Sequence, residues 1–200
     1  MFLNCLCDVL AALPDLTNVG AWRQELVGQA RGRVLEIGAG TGSNLPHYAG
    51  EVDLTLLEPD KRFRGRLEHL GHPAIRGFAE ELPFEDASFD TVVCTLVMCS
   101  VRDVDAAVRE IRRVLRPQGR YLFLEHVLAS EPSAQRWQHR LDPTWSRLAG
   151  GCHLTREFLP SLEQSFQVDS LTRDRIQPAP SFVRETVRGV ASFSAPRGTG

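Results

Sequence analysis

The chain has 200 residues, of which 42% are hydrophobic and 24% are charged, and its formal net charge is −2 at pH 7. This length suits one globular domain and would be cramped for two. The near-balance of mixed charges gives no support for a nucleic-acid surface, so we expect a small-molecule substrate.

The first predicted element is a short amphipathic helix over residues 1–13, whose apolar side chains recur at helical spacing until Pro14. It is too short to span a bilayer, contains Asp8 and lacks the basic region of a signal peptide. We predict that residues 1–30 form a helical cap packed on the domain. A lid over a ligand site and a weak contact with a membrane surface stay open as alternatives.

The central feature is the stretch 34–44, which reads Val-Leu-Glu-Ile-Gly-Ala-Gly-Thr-Gly-Ser-Asn. Its apolar run ends at Gly38, and glycines then alternate at Gly40 and Gly42 before polar residues suited to opening a helix. This pattern predicts a strand, a tight loop and a helix start. Glycines permit positive φ and close approach of a ligand, and a helix N-terminus offers unpaired N–H groups. We predict a cradle for a nucleoside-type ligand, although a glycine-rich turn in another α/β domain fits this motif alone.

The glycine spacing narrows the choice of ligand. A dinucleotide-binding loop would need a glycine where Ser43 stands, which disfavours a nicotinamide oxidoreductase. Glu36 lies two residues before the first glycine, and Glu-x-Gly-x-Gly-x-Gly resembles motif I of the class I S-adenosylmethionine (SAM) methyltransferases. The resemblance implies that the acidic residue and the loop hold the methionine part of SAM. The implied cofactor residues are Glu36, Gly38, Ala39, Gly40, Gly42 and Asn44.

A second apolar strand is predicted over residues 52–57, and it ends at Glu58. Glu58 stands 20 residues after Gly38. An acidic side chain at the carboxyl end of the second strand is placed to accept hydrogen bonds from ribose hydroxyls. Pro59 follows it and belongs to the same predicted cofactor site.

A covering helix and a third strand over residues 74–78 are predicted next, followed by Ala-Glu-Glu-Leu-Pro-Phe at 79–84. This segment resembles the family turn that lies beside the adenine ring. Phe78 stands where the family usually has Asp, so the resemblance assigns adenine recognition to Glu80 or to the backbone at Ala79.

A fourth strand is predicted over residues 89–95, and the family architecture implies that the residues just after it, beginning with Leu96, pass under the sulfonium and wall the acceptor pocket. Asp103 is suited to capping a helix over 104–115. A fifth strand follows over 120–127, preceded by a Pro-Gln-Gly stop similar to a second family hallmark.

Three further stretches make the resemblance narrower: residues 92–101, 125–127 and 137–157. Together they resemble the alkyl-thiol S-methyltransferases of animal cells and their bacterial relatives. Animal members carry an N-terminal hydrophobic membrane anchor, whereas this chain has only the short helix described above. The resemblance implies that the segment 128–157 covers the acceptor.

Candidate catalytic residues are His126 and Cys99. His126 follows the fifth strand at the carboxyl edge of the sheet, where it would take the acceptor proton or stabilise a thiolate; ordering the following loop is the alternative. Cys99 lies in the predicted acceptor wall, and a nucleophile is superfluous in a direct methyl transfer, so a small apolar wall residue is its alternative role. A thiol acceptor needs little help, because a few per cent of it is already thiolate near neutral pH.

Cysteines occur at positions 5, 7, 94, 99 and 152, an odd number without a disulfide framework. This usage favours a reducing, cytoplasmic compartment. Cys5-x-Cys7 lacks the spacing of a metal site and has no second cluster, so we predict no metal.

The last third of the chain contains a predicted helix capped by Thr155 and strand-like residues over 166–176 and 181–193. Family resemblance, not periodicity, implies that these two strands form an antiparallel hairpin. Residues 194–200 are small and are expected to be a disordered tail.

We therefore predict one α/β domain over residues 1–200, with a doubly wound, Rossmann-like class I methyltransferase fold and a seven-stranded mixed sheet. The predicted function is methyl transfer from SAM to a small acceptor, most simply a thiol. A quinone, lipid amine or hydroxyl acceptor and a non-catalytic SAM-binding protein are the alternatives. Peripheral membrane contact is left open.

Overall fold

The computed structural model describes residues 17–193. The predicted helix over residues 1–13, with Cys5 and Cys7, and the predicted tail over 194–200 lie outside the described residues.

A seven-stranded sheet with strand order β3-β2-β1-β4-β5-β7-β6 forms the centre of the described chain. Strands β1 to β5 pair in parallel, whereas β7 runs antiparallel to both β5 and β6. The predicted mixed sheet with a C-terminal antiparallel hairpin is confirmed. The strands are β1 (Arg33–Ile37), β2 (Asp53–Leu57), β3 (Ala74–Ile75), β4 (Phe89–Thr95), β5 (Leu115–His126), β6 (Gln167–Arg175) and β7 (Glu185–Ser192).

Helices cover both faces of this sheet. They are α1 (Val19–Val27), α2 (Lys61–His69), α3 (Val104–Val114), α4 (Pro132–Leu148) and α5 (Leu159–Ser165), with a 3-10 turn at Leu45–His47. Among the described residues, none of the helices combines the length and the apolar character needed to cross a membrane.

The central strands β1, β4 and β5 are apolar because both of their faces are covered. Successive side chains of a strand point to opposite faces, so the core has two layers. One layer joins Leu35, Val92, Tyr121 and Phe123 to apolar residues of α3 and α5. The other joins Val34, Val93, Leu122 and Leu124 to Trp22, Leu26 and Val27 of α1. The two layers keep the strands in register and bring their carboxyl ends to one edge.

The short helix expected after the glycine loop is present as the 3-10 turn, beside which Asn44 and Tyr48 turn inward to bond Glu36. Two other local predictions differ from the structure. The third strand stops at Ile75 instead of residue 78, where the chain turns towards the short bridge between residues 78 and 81. Thr155 caps no helix: its N–H lies 3.4 Å from Asp142 Oδ1, and α5 begins only at Leu159.

Asp103 has the predicted capping role. Its Oδ1 accepts a hydrogen bond from the Ala106 N–H at 3.0 Å at the start of α3. This bond satisfies one of the N–H groups that the first turn of a helix leaves unpaired.

Replacing Asp103 with alanine is expected to lower the free energy of unfolding by about 1 kcal/mol, because the Ala106 N–H loses its acceptor. Asp105→Ala is the matched control, since Asp105 lies exposed in the same turn and acts only through the helix dipole. Urea denaturation of both variants measures the difference. Equal losses in the two variants would contradict the capping role.

Candidate functional site

The predicted glycine loop joins β1 to the 3-10 turn and is held against β2. The N–H groups of Gly38 and Ala39 donate to the Leu57 carbonyl at 2.8 and 3.2 Å. Gly38 has a φ of +68°, and a Cβ there would lie 2.6 Å from Val97 Cγ2. Glycine is therefore required at position 38 both by the backbone and by close packing against the loop after β4.

Gly40 differs from Gly38 and Gly42 because a Cβ at this position would make no close contact. Its φ is +53°, and the nearest heavy atom to a Cβ at this position would be the Gly38 carbonyl oxygen at 3.8 Å. A Cβ at Gly42, by contrast, would lie 2.9 Å from Leu45 and 3.1 Å from Leu67. Gly42 serves internal packing, whereas Gly40 leaves a cradle in which a ligand can approach the backbone.

Glu58 fixes the position of this cradle. Its Oε2 accepts a hydrogen bond from the Gly40 N–H and its Oε1 accepts one from the Asp60 N–H, both at 2.8 Å. The side chain is buried, and burial raises the pKa of Glu58. Each carboxylate oxygen has a second lone pair, so the group can still accept bonds from two ribose hydroxyls. These acceptor oxygens fit the ribose of SAM. Pro59 follows it and is exposed.

Glu36 lies in a buried polar network on the α1 side of the sheet. Its carboxyl group accepts hydrogen bonds from Asn44 Nδ2 at 2.9 Å and from the Tyr48 hydroxyl at 2.7 Å. The guanidinium of Arg23 in α1 donates to Asn44 Oδ1 at 2.6 Å and to Thr95 Oγ1 at 3.2 Å. Burial raises the pKa of Glu36 to about 7. Glu36 and Asn44 thus support the glycine loop from the α1 side of the sheet.

The predicted adenine turn is tied to the start of the next helix. Ala79 is buried, and Glu80 Oε1 accepts a hydrogen bond from the Arg102 N–H at 2.7 Å. Phe78 is 45% exposed, and the Arg102 guanidinium lies 5.3 Å from the centre of its ring. One oxygen of Glu80 is therefore committed to the backbone at the start of the next helix.

Leu96 opens the loop after β4 with a φ of +60°, which is unusual for a residue with a Cβ. Its N–H donates to the Leu124 carbonyl at 2.7 Å, which fixes the turn against β5. A branched side chain in this region of φ is held there only by its surroundings and is typical of functional sites.

Glu125 is a site residue to which the sequence analysis assigned no role. Its side chain is 0% exposed, and Oε2 accepts hydrogen bonds from the N–H groups of Val97 and Met98, each at 2.9 Å. Oε1 has no hydrogen-bond partner among the described residues. Burial raises the pKa of Glu125 to about 8, against the effect of the two N–H bonds. The group holds the loop after β4 as a protonated carboxyl. Its position at the end of a strand next to the site is the sequence feature that could have identified Glu125 as a site residue.

His126 lies on the opposite face of β5, because neighbouring residues of a strand alternate. It is buried near Asp142 of α4, and neither ring nitrogen makes a hydrogen bond of good geometry within the described chain. Burial lowers the pKa of His126 to about 4, although the Phe182 backbone and Asp142 favour the charged ring. The imidazole is neutral at pH 7 and a weak base.

Cys99 is buried in the loop after β4, and the segment after α4 docks on it. The His153 N–H donates to the Cys99 carbonyl at 2.8 Å, and the Arg156 guanidinium donates to the Val101 carbonyl at 2.7 Å. Asp142 holds this segment together by accepting from Leu154 N–H at 2.6 Å. The predicted acceptor-covering segment therefore contacts the loop that carries Leu96 and Cys99.

No group of three or more His, Cys, Asp or Glu residues is arranged to hold a metal within residues 17–193.

The Glu125 carboxyl group predicts a pH effect on stability. A carboxyl whose pKa rises from 4.5 to about 8 on folding binds its proton more tightly in the folded state. Its contribution is complete below about pH 4.5 and is lost as the pH rises through about 8. Glu125→Gln keeps an acceptor for both N–H groups and cannot ionise.

The free energy of unfolding of Glu125→Gln, relative to the parent protein, should therefore increase between pH 5 and pH 8. The limit is about 1.4 kcal/mol per pH unit. Denaturant unfolding across this range measures the difference, with the exposed Glu157→Gln as the control. A difference that does not change with pH would contradict the protonated state.

Known proteins are similar to this chain in sequence and in fold. A family model for the methyltransferase domain matches residues 35–123. Human thiol S-methyltransferase TMT1B is 36% identical over 176 residues, which cover 79% of this chain and 71% of that protein. Human thiol S-methyltransferase TMT1A is 40% identical over 150 residues, which cover 66% of this chain and 58% of that protein.

The fold is shared with the crystal structure of the YcgJ protein from Bacillus subtilis. The TM-score is 0.65 at 20% identity, covering 89% of this chain and 99% of the other. The chain spans only 58% of the length of human TMT1A and of rat TMT1B, so the similarity covers part of those proteins. From the matched domain, the fold and the glycine loop with its acidic partners, we conclude that the chain belongs to the class I SAM-dependent methyltransferases and lies near the thiol S-methyltransferases.

Proposed function

We propose that this protein transfers a methyl group from SAM to a small-molecule acceptor, and that the acceptor is a thiol. The thiol acceptor is supported by the 36–40% identity to human thiol S-methyltransferases, which extends into the segment after β5. The open face of Gly40 beside Glu58 supports the cofactor part of the proposal independently.

The proposed cofactor site uses the residues that the motifs indicate. Glu58 accepts the ribose hydroxyls, and the glycine loop lies against the methionine part of SAM. The turn at Ala79 and Glu80 borders the adenine, and Leu96 borders the sulfonium. Glu36 supports the loop from the buried side, because its carboxyl group is almost fully buried and bonded to Asn44 and Tyr48. The complete set is Glu36, Gly38, Ala39, Gly40, Gly42, Asn44, Glu58, Pro59, Ala79, Glu80 and Leu96.

SAM supplies a methyl group bound to a positively charged sulfonium, which is a good leaving group. The chain has to align the acceptor with that methyl group and exclude water. The loop after β4 is suited to this task because Glu125 fixes the Val97 and Met98 backbone beneath it. The segment over 128–157 covers the acceptor from the other side.

Deprotonation of the acceptor needs no strong base. A thiol with an ordinary pKa is a few per cent thiolate near neutral pH. Of the two roles open to His126, burial and a pKa of about 4 favour ordering the loop after β5. Cys99 lies buried beside the acceptor segment, which favours its role as a wall residue over that of a nucleophile.

We further propose that residues 1–200 form one domain, in which 1–30 is the N-terminal cap. Packing of α1 against Val34 and Leu122 supports this cap. A reducing, cytoplasmic location is the setting we propose, and it is supported by the free thiols of Cys94, Cys99 and Cys152.

The acceptor is tested with SAM that carries an isotopic label on its methyl group. Labelled SAM is mixed with an alkyl thiol, hydrogen sulfide, a quinol, an amine or a hydroxyl compound. We expect label in the methylated thiol and its loss in Glu58→Ala. Label in another acceptor would contradict the proposed thiol acceptor but support methyltransferase activity. SAM binding without any labelled product would favour a non-catalytic SAM-binding protein.

Gly40→Ala is expected to weaken SAM binding at least tenfold, because the new Cβ enters the proposed cofactor cradle. Gly50→Ala is the matched control, since Gly50 also has a positive φ, +71°, and nothing lies within 4 Å of a Cβ there. Both variants store similar backbone strain of about 1 kcal/mol. Titration calorimetry with SAM separates them, and equal affinities would contradict the placement of the cofactor.

A further inference from the structure

Two cysteines that are far apart in the sequence lie side by side at the carboxyl edge of the sheet. Cys99 belongs to the loop after β4, and Cys152 belongs to the segment after α4. The residue after Cys152 donates its N–H to the Cys99 carbonyl at 2.8 Å. On the other side of Cys152, a Cβ at Gly151 would lie 3.7 Å from the Ser100 carbonyl oxygen.

Cys152 is thus flanked on both sides by contacts with residues 99 and 100, and the two thiols are close enough to shift each other's pKa. Backbones that meet in this way are close to the separation that a disulfide spans. Both cysteines are present as free thiols.

The two thiols differ in their surroundings. The neighbouring Cys152 thiol, together with burial, raises the pKa of Cys99 well above its ordinary value. The Cys99 thiol in turn lowers the pKa of Cys152, and Trp145 and the Arg156 guanidinium act in the same direction, against burial and the Asp142 carboxylate. Cys152 is also the less buried of the two. A partly exposed thiol whose pKa its neighbours lower has the features of a reactive cysteine.

We propose that Cys99 and Cys152 form a redox-active dithiol, in which Cys152 reacts with a peroxide and Cys99 closes an intramolecular disulfide. The Cys152 thiolate attacks one peroxide oxygen, the O–O bond breaks, and the other oxygen leaves as water after taking up a proton. The Cys99 sulfur then attacks the sulfenic sulfur of Cys152, the S–O bond breaks, and hydroxide leaves with the Cys99 proton as water. Two thiols are oxidised, and one hydrogen peroxide is reduced to two water molecules.

The disulfide would join the loop after β4 to the acceptor-covering segment. Its effect on catalysis rests on the proposed function, because it fixes the two walls of the proposed acceptor pocket. Of the proposed cofactor residues only Leu96 shares a loop with Cys99, whereas Glu58 and Gly40 lie on other loops, so SAM affinity should change by less than about twofold while methyl transfer slows at least fivefold. The dithiol itself is independent of the acceptor.

The test is mass spectrometry of the full chain after treatment with hydrogen peroxide. Free thiols are then alkylated and the protein is digested with trypsin without reduction. We expect the tryptic peptide 77–102 to be joined to the peptide 148–156, and dithiothreitol to separate them. Peptide 77–102 also contains Cys94, so Cys99→Ser identifies the residue. The joined pair should be absent from Cys99→Ser and Cys152→Ser and present in the double variant Cys5→Ser, Cys7→Ser.

Conversion of Cys152 to sulfinic acid without a joined pair would overturn the proposal, as would a pair that persists in Cys99→Ser. Circular dichroism checks that each variant is folded, and Cys99→Ala provides a second substitution. Methyl transfer is measured on the same samples. A joined pair of peptides with an unchanged rate of methyl transfer would support the redox-active dithiol but overturn its proposed effect on catalysis. Absence of methyl transfer before oxidation would count against the proposed function alone.

Discussion

Acidic side chains that accept backbone N–H groups hold the loops at the carboxyl edge of the sheet. Glu58 accepts from the glycine loop, Glu80 from the residue that precedes Asp103, and Glu125 from two residues after β4. Glu36 completes the set through the side chains of Asn44 and Tyr48. A parallel sheet brings its strand ends together but does not fix the loops that follow, so these contacts determine the shape of the site.

Burial of these groups is costly, and the structure offsets the cost in two ways. Glu58 keeps partners on both oxygens, whereas Glu125 is neutralised by a proton because its pKa rises to about 8. A buried carboxyl without such compensation would cost several kcal/mol. The same low-dielectric surroundings strengthen the contacts that remain, which suits a site whose main task is to hold two reactants in line.

Much of this arrangement is predictable from the sequence, because it depends on local pattern. The apolar runs before Gly38 and Glu58 identify strands whose ends carry function, and Asp103 identifies a helix start. The C-terminal hairpin was expected only by resemblance, since its β6 strand is largely exposed and lacks a clear apolar period. The short helix after the glycine loop was expected, but its 3-10 form was not, because the bonds of Asn44 and Tyr48 to Glu36 are tertiary contacts that no local signal contains.

Other features depend on long-range contacts. The closeness of Cys99 and Cys152 arises from the docking of one loop on another, which spacing along the chain does not reveal. His126 and Glu125 are neighbours in sequence and point to opposite faces. Their roles differ because successive side chains of a strand point to opposite faces. Which of the two faces the loop after β4 is shown by the hydrogen bonds of Glu125 to Val97 and Met98.

We infer that one acidic residue at the end of β2, Glu58, both positions the glycine loop and receives the cofactor. It is tested most directly by calorimetric titration of S-adenosylhomocysteine into Glu58→Gln, with exposed Glu81→Gln as the control. We predict at least tenfold weaker binding in Glu58→Gln, since hydrogen bonds to a charged group are worth about 1.5–3 kcal/mol, and no change in Glu81→Gln. Equal affinities of the parent protein and Glu58→Gln would contradict it.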